Sequence, residues 1–327
     1  MKQIPLIESL RAIAAISVCL FHFVCTTIGL FSNQKLLSIF SVGQYGVHIF
    51  FVISGFIIPY SMFHNNYKIT SFFRFVAKRF IRLEPPYLVS IALILSIIFL
   101  KHHFHFGVDE IDKLSANRVL LHFGYLINFF PNYHWLNNVF WTLAIEFQFY
   151  IFIAFTFMLF IQKKIVYRII GYLVCFLIAI LPIPHLSNHF PVYAPLFLMG
   201  ISVFLYKSSV IHKTEFWLVF GCCVGYNLFY ADYMFATVGG LTALGILFFP
   251  NIKIPVFHNL GKISYSLYLI HPVIGAAVIN ILSRHVETPF QKTGIVCLGF
   301  IITIISSYSM YFIVEKPSKK LSSNIKL

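Results

Sequence analysis

The sequence predicts an all-α polytopic integral membrane protein with about ten transmembrane helices and both termini cytoplasmic. Three observations carry that prediction. Of the 327 residues, 59% are hydrophobic and 10% charged, with a mean hydropathy of +0.85, whereas soluble proteins carry about 25% charged residues. A spanning helix takes about 20 residues, so ten take roughly 200, close to the apolar share. The Lys and Arg residues are also unevenly distributed between alternate connections. A chain this apolar cannot hide its surface from water, which excludes a soluble enzyme, a disordered chain and a secreted disulfide scaffold.

Apolar runs place helices near 10–31, 43–63, 86–100, 139–161, 169–183, 191–207, 216–231, 232–249, 263–282 and 293–315. A further run, 119–130, reads as a re-entrant or interfacial piece. With the N-terminus inside, alternation leaves Lys35, Lys101, Lys113, Arg118, Arg284 and Lys292 outside, 6 of the 24 Lys and Arg, and the other 18 inside. That is the positive-inside asymmetry, and an odd number of spans breaks it. Residues 1–315 read as one transmembrane domain and 316–327 as a short polar cytoplasmic tail. The first run contains Arg11 and is followed by many more spans, so it is kept as a helix and not cleaved as a signal.

The net charge of +14 comes mostly from these retained basic segments, and the remainder suits an anionic substrate. No basic domain is long enough to fold outside the membrane, so nucleic acid is excluded as a partner. Cys19, Cys25, Cys175, Cys222, Cys223 and Cys297 all lie in apolar runs without a C-x-x-C pair. They read as small buried hydrophobes, not as a disulfide framework or a zinc site.

Charged groups within a bilayer cost about 2.5–3.5 kcal/mol on insertion scales, so each needs a reason. Arg11 and His22 are 11 residues apart on the first helix. That spacing sets them on one face, about 16 Å apart along the axis. The plain alternative is a snorkelling Arg and a hydrogen-bonded core His. In the fourth run Glu146 and Tyr150 are four apart and share a face. A lone carboxyl there must be protonated or paired, and His22 is a candidate partner. The first cytoplasmic loop, Lys78-Arg79-Phe80-Ile81-Arg82-Leu83-Glu84-Pro85-Pro86-Tyr87, is the densest basic cluster. Arg79 and Arg82 point the same way on a helical turn, and their forks suit phosphate oxygens bidentately; a merely topogenic loop is the alternative. His102, His103, His105, His122 and His134 make the segment 101–138 His-rich, but without a fixed carboxylate or Cys partner no metal is expected. Walker, G-x-G-x-x-G and G-x-S-x-G elements are absent from the sequence.

These pieces, in this order, resemble the integral-membrane acyltransferase type 3 family. Arg11 and His22 have its R-x(10)-H spacing. Gly46-Val47-His48-Ile49-Phe50-Phe51-Val52-Ile53-Ser54-Gly55-Phe56 is similar to its G-V-D-x-F-F-x-x-S-G-F. Arg79, Arg82, Pro85 and Tyr87 follow its R-x-x-R-I-x-P-x-Y. Trp141, Leu143, Glu146, Gln148, Phe149 and Tyr150 follow W-S-L-S-x-E-x-Q-F-Y. The run from Gly261 to His271 follows L-G-x-I-S-Y-S-L-Y-L-x-H, and Glu315-Lys316-Pro317 its closing E-K-P. The likeness spans nearly the whole chain. It departs at His48, where the family carries Asp, at Ala144, where it carries Ser, and at Leu83, where it carries Ile. It is a likeness to the membrane core, without the fused esterase-like domain of some members.

The resemblance implies acyl transfer, usually of acetyl, from cytoplasmic acyl-CoA to a hydroxyl of an extracytoplasmic carbohydrate such as a cell-surface polysaccharide, in the bacterial cytoplasmic (inner) membrane. Arg11, Arg79 and Arg82 would bind the polyanionic donor. His22 would act as general base, with Glu146 as the second catalytic group. Tyr150, Trp141 and His271 would contact substrate. Direct transfer and an acyl-histidine route both fit this pattern. A transporter or flippase for a lipid-linked glycan is the main rival, since intramembrane His, Glu and Arg suit proton coupling. It predicts two-fold repeats, and the sequence has none. A glycan polymerase or ligase is a third reading, carried only by the length of segment 101–138.

Overall fold

The computed structural model describes residues 4–27, 29–104, 111, 114–180 and 188–326. Among them every regular element is helical. In chain order they are α1 (Pro5–Thr26), α2 (Gln34–His64), α3 (Ile69–His103), α4 (Ala116–Phe123), α5 (Phe140–Phe160), α6 (Ile165–Ile180), α7 (Phe190–Lys207), α8 (Lys213–Tyr230), α9 (Tyr233–Phe248), α10 (Pro255–Lys262), α11 (Ser264–His285) and α12 (Pro289–Ser323). Seven of them, α1, α2, α3, α5, α7, α11 and α12, are long and apolar enough to cross a membrane. Helices α6 and α9 are apolar but shorter. Each of the ten apolar runs has a helix at its position. Lys2, His105, Lys113 and residues 181–183 of the fifth run lie outside the described residues.

The side chains explain which faces meet lipid. Phe290, Phe229 and Phe73 are 87%, 86% and 83% exposed, which water would not tolerate over so many helices. Helix α7 is the most buried of the seven long helices, and α2 crosses it closely. Lipid tails are as apolar as Leu, so helices gain by letting backbones approach at small residues. A Cβ on Gly55 would stand 2.1 Å from the Phe197 carbonyl oxygen, and one on Gly200 2.1 Å from that of Val52. Only hydrogen fits at this crossing.

Two expectations change. The segment Lys78–Tyr87 is not a loop: it lies within α3, with Pro85 and Pro86 inside the helix. Proline removes an N–H and normally ends a helix in water. In a bundle, packing against neighbours holds such a helix together, and here Tyr265 ties the turn before the prolines by donating to the Leu83 carbonyl at 2.8 Å. The polar C-terminal stretch is not a free tail either. A π-helical turn, Tyr311–Glu315, leads into a last helical stretch, Lys316–Ser323. Buried Glu315 accepts from the Ser266 hydroxyl at 2.5 Å and pairs with Lys319 at 2.6 Å. Ser322 donates to the Lys78 carbonyl and Lys78 to that of Ile325, both at 2.7 Å.

The 119–130 run becomes α4 and a short 3-10 turn, Ile127–Phe129. Fully buried His122 anchors it: Nδ1 lies 2.7 Å from the Arg118 carbonyl, and Nε2 accepts from the Leu136 N–H at 3.0 Å. Burial pushes this imidazole down to about 4. The neutral ring is therefore the folded form. Its contribution is fully present above about pH 6.5, the unfolded value, and is lost as pH falls from there toward 4, by about 3 kcal/mol in total. Thermal unfolding in detergent is expected to lose that increment over this window, and the loss is expected to be absent in His122→Gln.

Candidate functional site

Two cavities lie along α1. The first, about 540 Å³, opens at the N-terminal end of that helix and is lined by Arg11, Arg79, Arg82, Lys262 and Lys319, with Glu8, Glu146 and Tyr150. Five cations from four helices face two carboxylates there. Arg79 and Arg82, one helical turn apart on α3, both line it, as their spacing requires. Arg79 is 5% exposed; its guanidinium lies 5.4 Å from the Phe75 ring centre and 5.7 Å from that of Tyr150. Its Nε has no hydrogen-bond partner among the described residues. A buried cation with an unused donor is costly unless an anion completes it. Arg11 pairs only loosely with Glu8, at 3.9 Å. Lys319 reaches this wall because α12 continues past the closing E-K-P motif.

Glu146 belongs to this basic cavity. It accepts from Tyr150 at 2.6 Å and from Ser54 at 2.9 Å. The helical spacing of Glu146 and Tyr150 thus becomes a hydrogen bond. Their contact joins Glu146 to the tyrosine ring beside Arg79.

The second cavity, about 410 Å³, is lined by His22, Tyr45, His48, Trp141, Tyr193 and Asp232 among others. Val47 and Tyr268 line both cavities, so the two adjoin at these side chains. Tyr268 is held at Thr142 Oγ1, 2.7 Å away, and donates to the Val139 carbonyl at 3.2 Å. Arg11 therefore faces the basic cavity and His22 the second one. His22 lines a different cavity from Glu146, whose bonds go to Ser54 and Tyr150.

His22 opens a π-helical turn, His22–Thr26, and His271 opens another, His271–Gly275. Such turns re-aim side chains within a helix and recur at functional sites. The two rings are 5.1 Å apart between centres. The turns interlock, since a Cβ on Gly275 would stand 2.3 Å from the Phe23 ring. His271 is fully buried and lines neither cavity. Its Nδ1 lies 3.2 Å from the Leu267 carbonyl, an acceptor, so Nδ1 carries the proton. Its Nε2 is then a bare acceptor without a partner.

The structure thus gathers Arg11, Arg79, Arg82, Glu146 and Tyr150 in one cavity and His22 and Trp141 in the other, with His271 beside His22. Sequence reasoning missed Ser54, Lys262, Lys319, Tyr45 and Asp232. Ser54 and Lys262 lie inside quoted motifs, where a polar residue amid apolar neighbours was the available signal. Nothing local marks Lys319 or Asp232, which reach their cavities only through the fold. Among the described residues no group of three or more His, Cys, Asp or Glu side chains is gathered to hold a metal.

The model of the acyltransferase domain family Acyl_transf_3 matches residues 4–312. The chain is 27% identical over 294 residues, 82% of each chain, to a protein of Acidianus two-tailed virus named "Putative acetyltransferase ORF330". It is 29% identical over 174 residues to Staphylococcus aureus proteins named "Putative O-acetyltransferase SACOL0978" (strain COL) and "Putative O-acetyltransferase SAS0844" (strain MSSA476). Those matches cover 50% of this chain and 27% of the staphylococcal ones. No solved structure matches. With every regular element helical and seven membrane-length apolar helices among the described residues, and one family model matching residues 4–312, the chain belongs to the Acyl_transf_3 family of acyltransferases.

Proposed function

We propose that this protein is a membrane O-acyltransferase, moving an acyl group, acetyl by preference, from cytoplasmic acyl-CoA to a hydroxyl of an extracytoplasmic carbohydrate. In this reading it lies in the bacterial cytoplasmic membrane. Helices α6, α8 and α9 cross with the seven longer ones to make ten spans, and both termini are cytoplasmic. The observation that carries it is the pair of cavities: one lined by five cations and one by His22 and His48, meeting at Val47 and Tyr268.

The basic cavity suits coenzyme A. Buried Arg79, with its unpartnered Nε, and the half-buried Arg11 and Arg82 offer guanidinium forks to phosphate oxygens. Lys262 and Lys319 add point charges. The donor supplies a thioester, which must reach the wall between the cavities. There the acceptor oxygen attacks the acyl carbon as His22 takes its proton, the carbon–sulfur bond breaks, and the protonated His22 returns that proton to the departing CoA thiolate, which leaves as the free thiol. His271, substrate-facing by expectation, acts through His22: its bare Nε2 accepts the N–H of His22 when the rings close slightly, leaving the other nitrogen of His22 free as base. Glu146 is a positioning residue that fixes Tyr150 beside Arg79. Trp141 lines the acceptor side. Lys319 makes the last turns of α12 part of the functional unit.

The test is release of free thiol from acetyl-CoA by the purified protein in detergent, with and without glycans. Acceptor-dependent release supports the reading. A protein that binds acetyl-CoA yet releases no thiol with any surface glycan of its host removes it.

A further inference from the structure

The charges in the two cavities differ in kind. Against five Lys and Arg in the basic cavity, the described lining of the second has none, and its one formal charge is Asp232. Asp232 caps α9, accepting from the Met234 N–H at 2.9 Å, and accepts from the Tyr45 hydroxyl at 2.8 Å. Those two bonds hold its carboxyl below the usual range, so it stays ionised. His48 is 4% exposed and packs 4.0 Å from the Phe235 ring. Its Nδ1 lies 3.2 Å from the Tyr45 carbonyl. A carbonyl only accepts, so Nδ1 carries the proton and Nε2 is an acceptor. That buried Nε2 has no partner among the described residues. Much of the remaining wall is aromatic, with valines and the Gln44 and Asn138 amides completing it: Tyr193 stacks on Phe235 at 5.8 Å and lies 5.8 Å from Trp141.

Such a chamber offers acceptors and ring faces but no cation. A buried acceptor left unpaired is destabilising, and a ligand N–H or O–H removes that cost. Aromatic faces take the C–H face of a sugar ring, whereas the Asp232 carboxylate, with no cation beside it in the lining, repels an anion. We propose that the second cavity is an acceptor subsite for an uncharged or amine-bearing sugar, with His48 Nε2 and the Asp232 carboxylate as its hydrogen-bond acceptors, and that it rejects uronic acids and other anionic sugars. The proposal deepens the transfer reading by naming the acceptor class, yet it concerns binding alone.

The test therefore uses no acyl donor. The full chain is placed in lipid nanodiscs, and saturation-transfer difference NMR is recorded with methyl glucoside, methyl glucosaminide and methyl glucuronide. The expected result is saturation of the ring protons of the first two and at least about fivefold less for the glucuronide. Asp232→Asn keeps a helix cap. It is expected to weaken the glucosaminide about tenfold, the loss of one charge-assisted hydrogen bond, and to admit the glucuronide. His48→Leu is expected to weaken both favoured sugars, with thermal unfolding as the check on folding. Equal or stronger saturation of the glucuronide overturns the proposal. So does the absence of saturation with all three sugars, or saturation unchanged in both folded variants. Competition by a long-chain alkyl glycoside more than tenfold better than by the methyl glycoside supports a lipid-linked source of the sugar, and equal competition a free one. A protein that binds these sugars but releases no thiol from acetyl-CoA would retain the subsite and lose the transfer reading.

Discussion

Replacing His22 by Ala is expected to lower acyl transfer at least about a hundredfold, the usual minimum for loss of a general base, while acetyl-CoA binding stays at the wild-type level. The two effects separate because the groups are in different cavities. His22 lines the second chamber, and the cations line the first. Truncation at His22 leaves Arg79 between its two aromatic rings and leaves the Glu146–Tyr150–Ser54 contacts in place. Acceptor-dependent thiol release measures the first effect, and donor binding to the purified variant the second. Transfer at the wild-type rate would falsify the base assignment. The neighbouring ring gives a second arm. His271→Gln keeps an acceptor near the position of Nε2 and is expected to retain more transfer than His271→Leu, with donor KM unchanged in both. Equal loss in the two would assign His271 to packing of the interlocked π-helical turns alone.

Replacing Arg79 by Ala is expected to raise the KM for acetyl-CoA by about 10–100-fold with a smaller change in kcat. One hydrogen bond to a charged group is worth about 1.5–3 kcal/mol, and each 1.4 kcal/mol is about tenfold. Arg79 should show the largest effect of the three arginines, because it is the buried one and its Nε is unused. Arg82→Ala is expected to raise KM less, since that side chain is only half-buried. Arg79→Lys restores charge without the fork, so it should recover part of the affinity. Steady-state thiol release over a range of acetyl-CoA concentrations reads all three. A donor KM unchanged in Arg79→Ala would remove the phosphate role from this cavity.

The positions of the helices were readable from composition because lipid imposes one simple rule: a run of about 20 apolar residues must satisfy its own backbone. Pairs on a single helix were readable for the same reason. The four-residue spacing of Glu146 and Tyr150 ends as a 2.6 Å hydrogen bond, and the three-residue spacing of Arg79 and Arg82 brings both into one cavity. The basic segment holding those arginines was misplaced as a loop. Pro85 and Pro86 signal a helix end to a local reading, while the continuity of α3 depends on neighbours far away in the chain.

The amino-acid sequence by itself determined the helical class, the membrane-length runs, the family motifs and the residue types that carry the chemistry. Only the tertiary structure decided which of them meet. It separated His22 from Glu146, set His271 beside His22, brought Lys319 to the arginines and Asp232 to the chamber of His48. The physical reason is range. Helical periodicity relates residues within a few turns, whereas a cavity is assembled where several helices cross, and close crossings such as Gly55 over Gly200 are set by the packing of the whole bundle.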